Sequence, residues 1–202
     1  MPQGLWVRVP PLAPFKKLQM IMENVIYSKI VFECPVFKVE EAEVKLPDGS
    51  TAKRWYIVKR DTAAVVCLKD NRVILTKEYR SASGGVQWRL PAGGVHEGED
   101  PASAAIRETR EEIGLEPLDL KLLKTYSSPS ATTKQKIHCF LATQFKENPL
   151  TTGEKDEQYI KIKELTIQQV ENLLASREIP DGIGRCLQAA LNELKKNSRG
   201  SY

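Results

Sequence analysis

The chain has 202 residues, enough for one sizeable domain with a small appendage. Its 41% hydrophobic and 28% charged residues are those of a soluble globular protein, and no stretch approaches 18 consecutive apolar residues, which argues against a membrane span. The net charge of +4 comes without a long basic run, which argues against a nucleic-acid partner, and the four cysteines (Cys34, Cys67, Cys139, Cys186) form no CxxC pair. They read as reduced core thiols of a cytoplasmic protein.

Residues 1–22 are expected to be a disordered leader. Prolines interrupt the apolar run that a signal peptide would need, and there is no clear period. Residues 23–60 read as a β-rich extension, with Pro47-Asp48-Gly49 as a turn between two strand-like runs. The main domain is expected over 61–202. It opens with two apolar runs, AAVVCL and RVILTKEY, divided by Lys69-Asp70-Asn71, a hairpin with a buried face. Arg80 ends the second run. SASGGV (81–86) reads as a flexible loop leading into Trp88-Arg89-Leu90-Pro91-Ala92-Gly93-Gly94.

A helix of three to four turns is expected next. Asp100 is the N-cap, Pro101 occupies the first helical position, and Gly114 is the left-handed residue past the end. At about 100° per residue, Ala102, Ile106, Thr109 and Ile113 share one stripe facing a core. Glu108, Glu111 and Glu112 share another arc, with Arg107 at its edge, one turn from Glu111. Carboxylates this close repel one another, and a divalent cation removes that penalty. Hard oxygen ligands suit Mg²⁺ or Mn²⁺. The competing reading is a solvated acidic face with an Arg107–Glu111 pair.

Residues 117–127 and 137–145 read as strands, and His138 and Cys139 as structural residues of the second. A polar loop spans 146–157, a short strand follows from Tyr159, and amphipathic helices are expected at 167–175 and 182–196. Leu187, Leu191 and Leu194 form the core stripe of the last helix. His96 is expected to be exposed and without a role.

The stretch 93–115, GGVHEGEDPASAAIRETREEIGL, resembles the signature of the Nudix hydrolases, GX5EX7REUXEEXGU, at Gly93, Glu99, Arg107, Glu108, Glu111, Glu112, Gly114 and Leu115. Thr109 stands where that signature has a large aliphatic residue. The resemblance extends over about 28–196. It implies an α/β Nudix fold, a mixed β-sheet sandwiched between helices, here preceded by the N-terminal β extension. The run IVFE…VFKVEEAEVKLPDGSTAKRWYIV and the WRLPAG segment resemble the ADP-ribose pyrophosphatase branch, in which Arg89 departs from the usual Glu. That branch also has a Pro near position 129, usually followed by Gly, but here by Ser130, and a loop Glu that is missing here.

The resemblance implies metal-dependent hydrolysis of ADP-ribose or a related nucleoside diphosphate sugar to a nucleoside monophosphate and a sugar phosphate. Mg²⁺, or Mn²⁺, would be held by Glu108, Glu112, the Ala92 carbonyl and Glu111. Glu111, Glu154, Asp156 or Glu157 would accept the water's proton, and Arg107 would orient the glutamates. Arg80, Arg54, Gly93, Gly94 and Pro129 would bind substrate, and residues 23–60 would pair two subunits into a homodimer. The alternatives are a Nudix hydrolase of modified nucleoside triphosphates or dinucleotides, and a non-catalytic nucleotide-sugar-binding module.

Overall fold

The computed structural model describes residues 23–150 and 160–199; the expected leader and Glu154, Asp156 and Glu157 lie outside the described residues. Three strands, β1 (Asn24–Glu33), β2 (Lys38–Lys45) and β3 (Thr51–Val58), form an antiparallel meander. Gly49, at φ +87°, makes the turn between the last two. Every residue of β1 is exposed, whereas Ala42 and Val44 of β2 are buried.

The main sheet starts with β4 (Thr62–Lys69) and β5 (Arg72–Arg80). Asp70 and Asn71 both take positive φ (49° and 58°), the backbone of a tight two-residue hairpin turn that these side chains tolerate. Where the sequence reads a flexible loop at 81–86, the structure has a single 3-10 turn (Ser81–Ser83) and then β6 (Gly85–Arg89), paired antiparallel with β5. The left-handed Gly84 (φ +66°) reverses the chain, so the ribbon starts earlier than glycine content suggests.

After β7 (Ala92–Gly94) come α1 (Pro101–Ile113), β8 (Leu115–Pro117), β9 (Lys121–Ser127), β10 (Thr133–Lys134), β11 (Lys136–Ala142), β12 (Phe145–Glu147), β13 (Lys161–Thr166), α2 (Ile167–Ala175) and α3 (Asp181–Arg199). The two runs read as single strands at 117–127 and 137–145 are each divided. Asp119 accepts the N–H groups of Thr143 and Gln144 (2.8 and 2.7 Å), and β8 and β12 leave the main sheet to pair with each other. The last helix begins at Asp181, one residue ahead of its expected start, and runs to Arg199.

The main sheet has the order β13-β5-β4-β11-β9, with β11 parallel to β4 and the other neighbours antiparallel. Alternation sorts β4 into two faces. Ala63, Val65 and Cys67 pack with Ile74, Phe140 and Ala142 beneath α1. Ala64 and Val66 pack with Val73, Leu75, Cys139, Leu141 and the buried stripe of α3 (Ile183, Cys186, Leu187, Ala190, Leu191). Helices thus cover both faces. On α1 the buried residues are Ala104, Ala105 and Thr109, with Ala102 and Ile113 packed at the margin. Ile106 is only half-buried and belongs to neither core cluster, so the stripe runs through Ala105 rather than Ile106. Two adjacent alanines allow the helix to approach the sheet closely. Thr109 fits without an orphaned hydroxyl because its Oγ1 donates to the Ala105 carbonyl at 2.7 Å. All four cysteines are free thiols, three of them buried.

Candidate active site

The site forms where one edge of β4 changes partners. Its C-terminal end, Cys67–Lys69, pairs with β5, and its N-terminal end, Thr62–Ala64, pairs with β7. Beyond that fork β5 takes β6 as its partner on this edge, and past Lys77, where β13 ends on the other edge, the two run out as a ribbon. Val65 N–H donates to the Pro91 carbonyl (2.9 Å) and Val95 N–H to the Asp61 carbonyl (2.8 Å). Ala92 therefore takes a non-hydrogen-bonded register position, and its own N–H and C=O face away from β4. The N–H donates to Glu112 Oε2 at 3.2 Å.

The helix is set as its ends dictate. Asp100 accepts from Ala102 N–H and Ser103 N–H, and Gly114 (φ 73°) closes the other end. Arg107 is the hub of the acidic arc. It donates through Nε and Nη2 to the two oxygens of Glu99 (both 3.0 Å), through Nη1 to Glu108 (2.6 Å) and Glu111 (3.1 Å), and through Nη2 to the Gly94 carbonyl (2.9 Å). This bidentate pair pins the glycine loop to the helix. It holds the Glu99 carboxyl down at about 2, and its acidic partners, Glu99 foremost, raise Arg107 above the usual guanidinium range.

Glu108 and Glu112 lie on the other side of that balance. Burial raises both carboxyls, Glu112 well above the ordinary value, with the Glu78 charge adding to the push on Glu112. Gly93 faces Glu108 so closely that an added β-carbon would lie 2.1 Å from its carboxyl carbon. Two partly buried carboxylates, a third (Glu111) alongside, and a backbone carbonyl aimed away from its sheet make a hard-oxygen donor set that fits a small divalent cation. In the arrangement seen, no three acidic, His or Cys side chains among the described residues converge as a ligand set. Glu108 and Glu111 turn to Arg107, and Glu112 turns to the Ala92 N–H.

The ribbon contributes residues that the sequence alone does not bring here. Cross-strand register places Arg89 opposite Thr76, Gln87 opposite Glu78 and Gly85 opposite Arg80. Continuing the alternation from Ile74, these side chains lie on the α1 face. Glu78 accepts from Thr76 Oγ1 (2.7 Å) and Arg80 Nη2 (2.5 Å). On the opposite face, Lys77 lies over the Trp88 ring, 4.2 Å from its centre. Alternation along β5 would have put Glu78 with Arg80, but bringing Glu78 and Arg89 to Glu112 requires the fork.

Of the substrate-binding candidates, Gly93 lies against Glu108, the Gly94 carbonyl accepts from Arg107, and Arg80 pairs with Glu78 on the ribbon. Arg54 pairs with Glu23 at 2.6 Å on the N-terminal sheet, and among the described residues it makes no hydrogen bond or ion pair to α1. Pro129 is exposed in the β9–β10 connection. His96 is exposed, and its backbone N–H donates to Glu99 at 2.8 Å.

Residues 58–181 match the family model described as the NUDIX domain. The chain is 26% identical over 166 residues to an ADP-ribose pyrophosphatase of Bacillus subtilis, covering 81% of this chain and 89% of that protein. It is 25% identical over 164 residues to a methanol dehydrogenase activator of Bacillus methanolicus, again covering 81% and 89%. A solved structure described as an ADP compounds hydrolase superposes with a TM-score of 0.75 at 20% identity, over 88% of this chain and 96% of that one.

Proposed function

The chain belongs to the Nudix family, as a pyrophosphohydrolase of ADP-ribose pyrophosphatase-like type, and from that premise we propose that it hydrolyses the diphosphate of ADP-ribose or a related nucleoside diphosphate sugar. The observation that carries the reading is the partly buried pair of Glu108, set against the Gly93 backbone, and Glu112, against the Ala92 N–H, at the sheet fork. Glu108, Glu112, Glu111 and the Ala92 carbonyl would hold Mg²⁺ or Mn²⁺. When bound, the cation offsets negative charge gathering on the diphosphate and makes the attacking water more acidic.

The chain's own residues do the rest. Gly93 and Gly94 admit the phosphates close to the backbone. Arg107 holds Glu99, Glu108 and Glu111 in one array. A carboxylate oxygen of Glu111, or of Glu154 or Glu157 in the late acidic loop, takes a proton from water as its oxygen bonds to phosphorus. The bridging P–O bond breaks, giving a nucleoside monophosphate and a sugar phosphate. Two chains pair through the N-terminal sheet, whose exposed apolar residues include Tyr27, Phe32 and Trp55. The protein works in the cytoplasm; among the described residues no helix is long and apolar enough to cross a membrane.

A second reading, a different nucleotide class, is favoured by Arg89 and Ser130, which depart from the branch pattern. The deciding test is a panel of ADP-ribose, other nucleotide sugars, dinucleoside polyphosphates and nucleoside triphosphates, assayed with Mg²⁺ and Mn²⁺. The proposal expects the highest kcat/KM on a nucleoside diphosphate sugar. A triphosphate or dinucleotide preferred by more than about tenfold, some 1.4 kcal/mol of transition-state binding, would replace it with the second reading.

A further inference from the structure

Arg89 is a largely buried cation with no obvious protein partner. It sits on the α1 face of the ribbon, yet among the described residues it donates no hydrogen bond and forms no ion pair. The neighbouring carboxylate is already committed, since both oxygens of Glu78 are taken by Thr76 and Arg80. Burial pulls the Arg89 guanidinium down from its usual range, Arg80 adds to that pull, and Glu78 and Glu112 oppose it. An unpaired guanidinium is costly to bury, and five N–H donors fixed in a planar fork suit the oxygens of a phosphate. Arg80 is the other guanidinium on this face, but its Nη2 is occupied by Glu78 and its side chain is 47% exposed.

We infer that Arg89 is a substrate-binding residue, its guanidinium receiving non-bridging oxygens of the substrate diphosphate at the fork between the β5–β6 ribbon and α1. The inference rests on the diphosphate-hydrolase reading above and adds a fixed protein cation to the site. Such a cation binds a diphosphate whether or not metal is present. A diphosphate, with two phosphates to offer oxygens, is expected to gain more from this cation than a monophosphate.

The test is calorimetric binding of α,β-methylene-ADP and of AMP to the full chain in EDTA, comparing wild type with Arg89→Gln and Arg89→Lys. Arg89→Gln is expected to weaken α,β-methylene-ADP about tenfold or more, the scale of one charge-assisted bond, and AMP by less. Lys restores part of the loss. Thermal stability of Arg89→Gln without ligand holds or rises, because an unpaired buried charge is removed. Equal affinity of wild type and Arg89→Gln, including no measurable binding by either, overturns the inference. So does a joint loss of binding and thermal stability, which would mark Arg89 as a structural cation. Hydrolysis of the substrate panel with KM unchanged in Arg89→Gln would sink this inference alone. A wild-type protein inert towards the whole panel would sink the parent reading.

Discussion

The Glu108 carboxyl occupies the space that a β-carbon on Gly93 would need. An added methyl would stand 2.1 Å from the carboxyl carbon and from one of its oxygens, closer than any real contact. Gly93→Ala should therefore push Glu108 off its seat rather than unfold the domain, since what must move is the end of a flexible side chain. Activity is expected to fall by at least about tenfold, with divalent-cation affinity reduced and stability changed by no more than about 1 kcal/mol. Activity assays with Mn²⁺ titration and thermal melts of the same variant check this. Unchanged activity would mean that Glu108 holds no cation.

Glu112→Gln keeps an oxygen to accept the Ala92 N–H but removes a charge that burial opposes. A fall in kcat of at least about 10²-fold is expected, the scale of a lost electrostatic group. Stability without metal should move the other way. With the folded-state pKa raised, the ionised carboxylate weighs against folding at neutral pH, and that penalty disappears below about 4.5. The variant should melt at or above wild type at pH 7 and like wild type in acid. Melts at the two pH values, beside kcat, give the answer.

Glu99 behaves in the opposite sense. Arg107 holds its carboxyl at about 2 against an ordinary 4.5, so its stabilising effect is complete above pH 4.5 and is lost as pH falls towards 2. Glu99→Gln should lower stability by about 2 kcal/mol at pH 7, the order for charge-assisted bonds, and the gap to wild type should narrow between pH 4.5 and 2. A gap that stays constant through that window in denaturant titrations would show that the pair with Arg107 is not the source.

What could be read from the sequence was local. Asp100, Pro101 and Gly114 delimit α1 through capping that needs only neighbouring residues, and Asp70-Asn71 marks its hairpin in the same way. Ile106 was misplaced because period alone cannot choose between overlapping stripes. The pair Ala104–Ala105 wins by letting the helix lie close on the sheet. The Ser81-Ala82-Ser83-Gly84 run ahead of β6 conceals that strand, although its pairing partner is the adjacent strand. Glu78, Arg80 and Arg89 come together through cross-strand register at the point where β4 exchanges β5 for β7, and no spacing rule along one strand contains that information. The late acidic loop, with Glu154 and Glu157, remains outside the described residues.

The assembly prediction concerns β1 and β3. Light scattering is expected to give twice the 22.7 kDa chain mass, and Phe32→Lys, at a residue 52% exposed on the N-terminal sheet, should shift it towards monomer. A wild-type monomer at micromolar concentration with full activity would sink the pairing.

The general base is distinguished by two variants. Glu111 is held by Arg107 at 3.1 Å on a rigid helix, whereas Glu157 lies outside the described residues, four positions ahead of β13 in the sequence. Glu157→Gln is expected to lower kcat about 10²–10⁴-fold with KM little changed. If Glu157→Gln turns over normally and Glu111→Gln is dead, the proton goes to the helix.

The N-terminal meander also has a history in time. β3 is held from outside its own sheet by a parallel contact with β10, through Ile57 N–H to the Thr132 carbonyl (2.8 Å) and Lys59 N–H to the Lys134 carbonyl (3.0 Å). Its hairpin partners lie close by in sequence, but this anchor is made some 75 residues later. During synthesis all three strands of the meander, with Tyr27, Phe32 and Trp55, therefore leave the ribosome before the segment that docks them has been made.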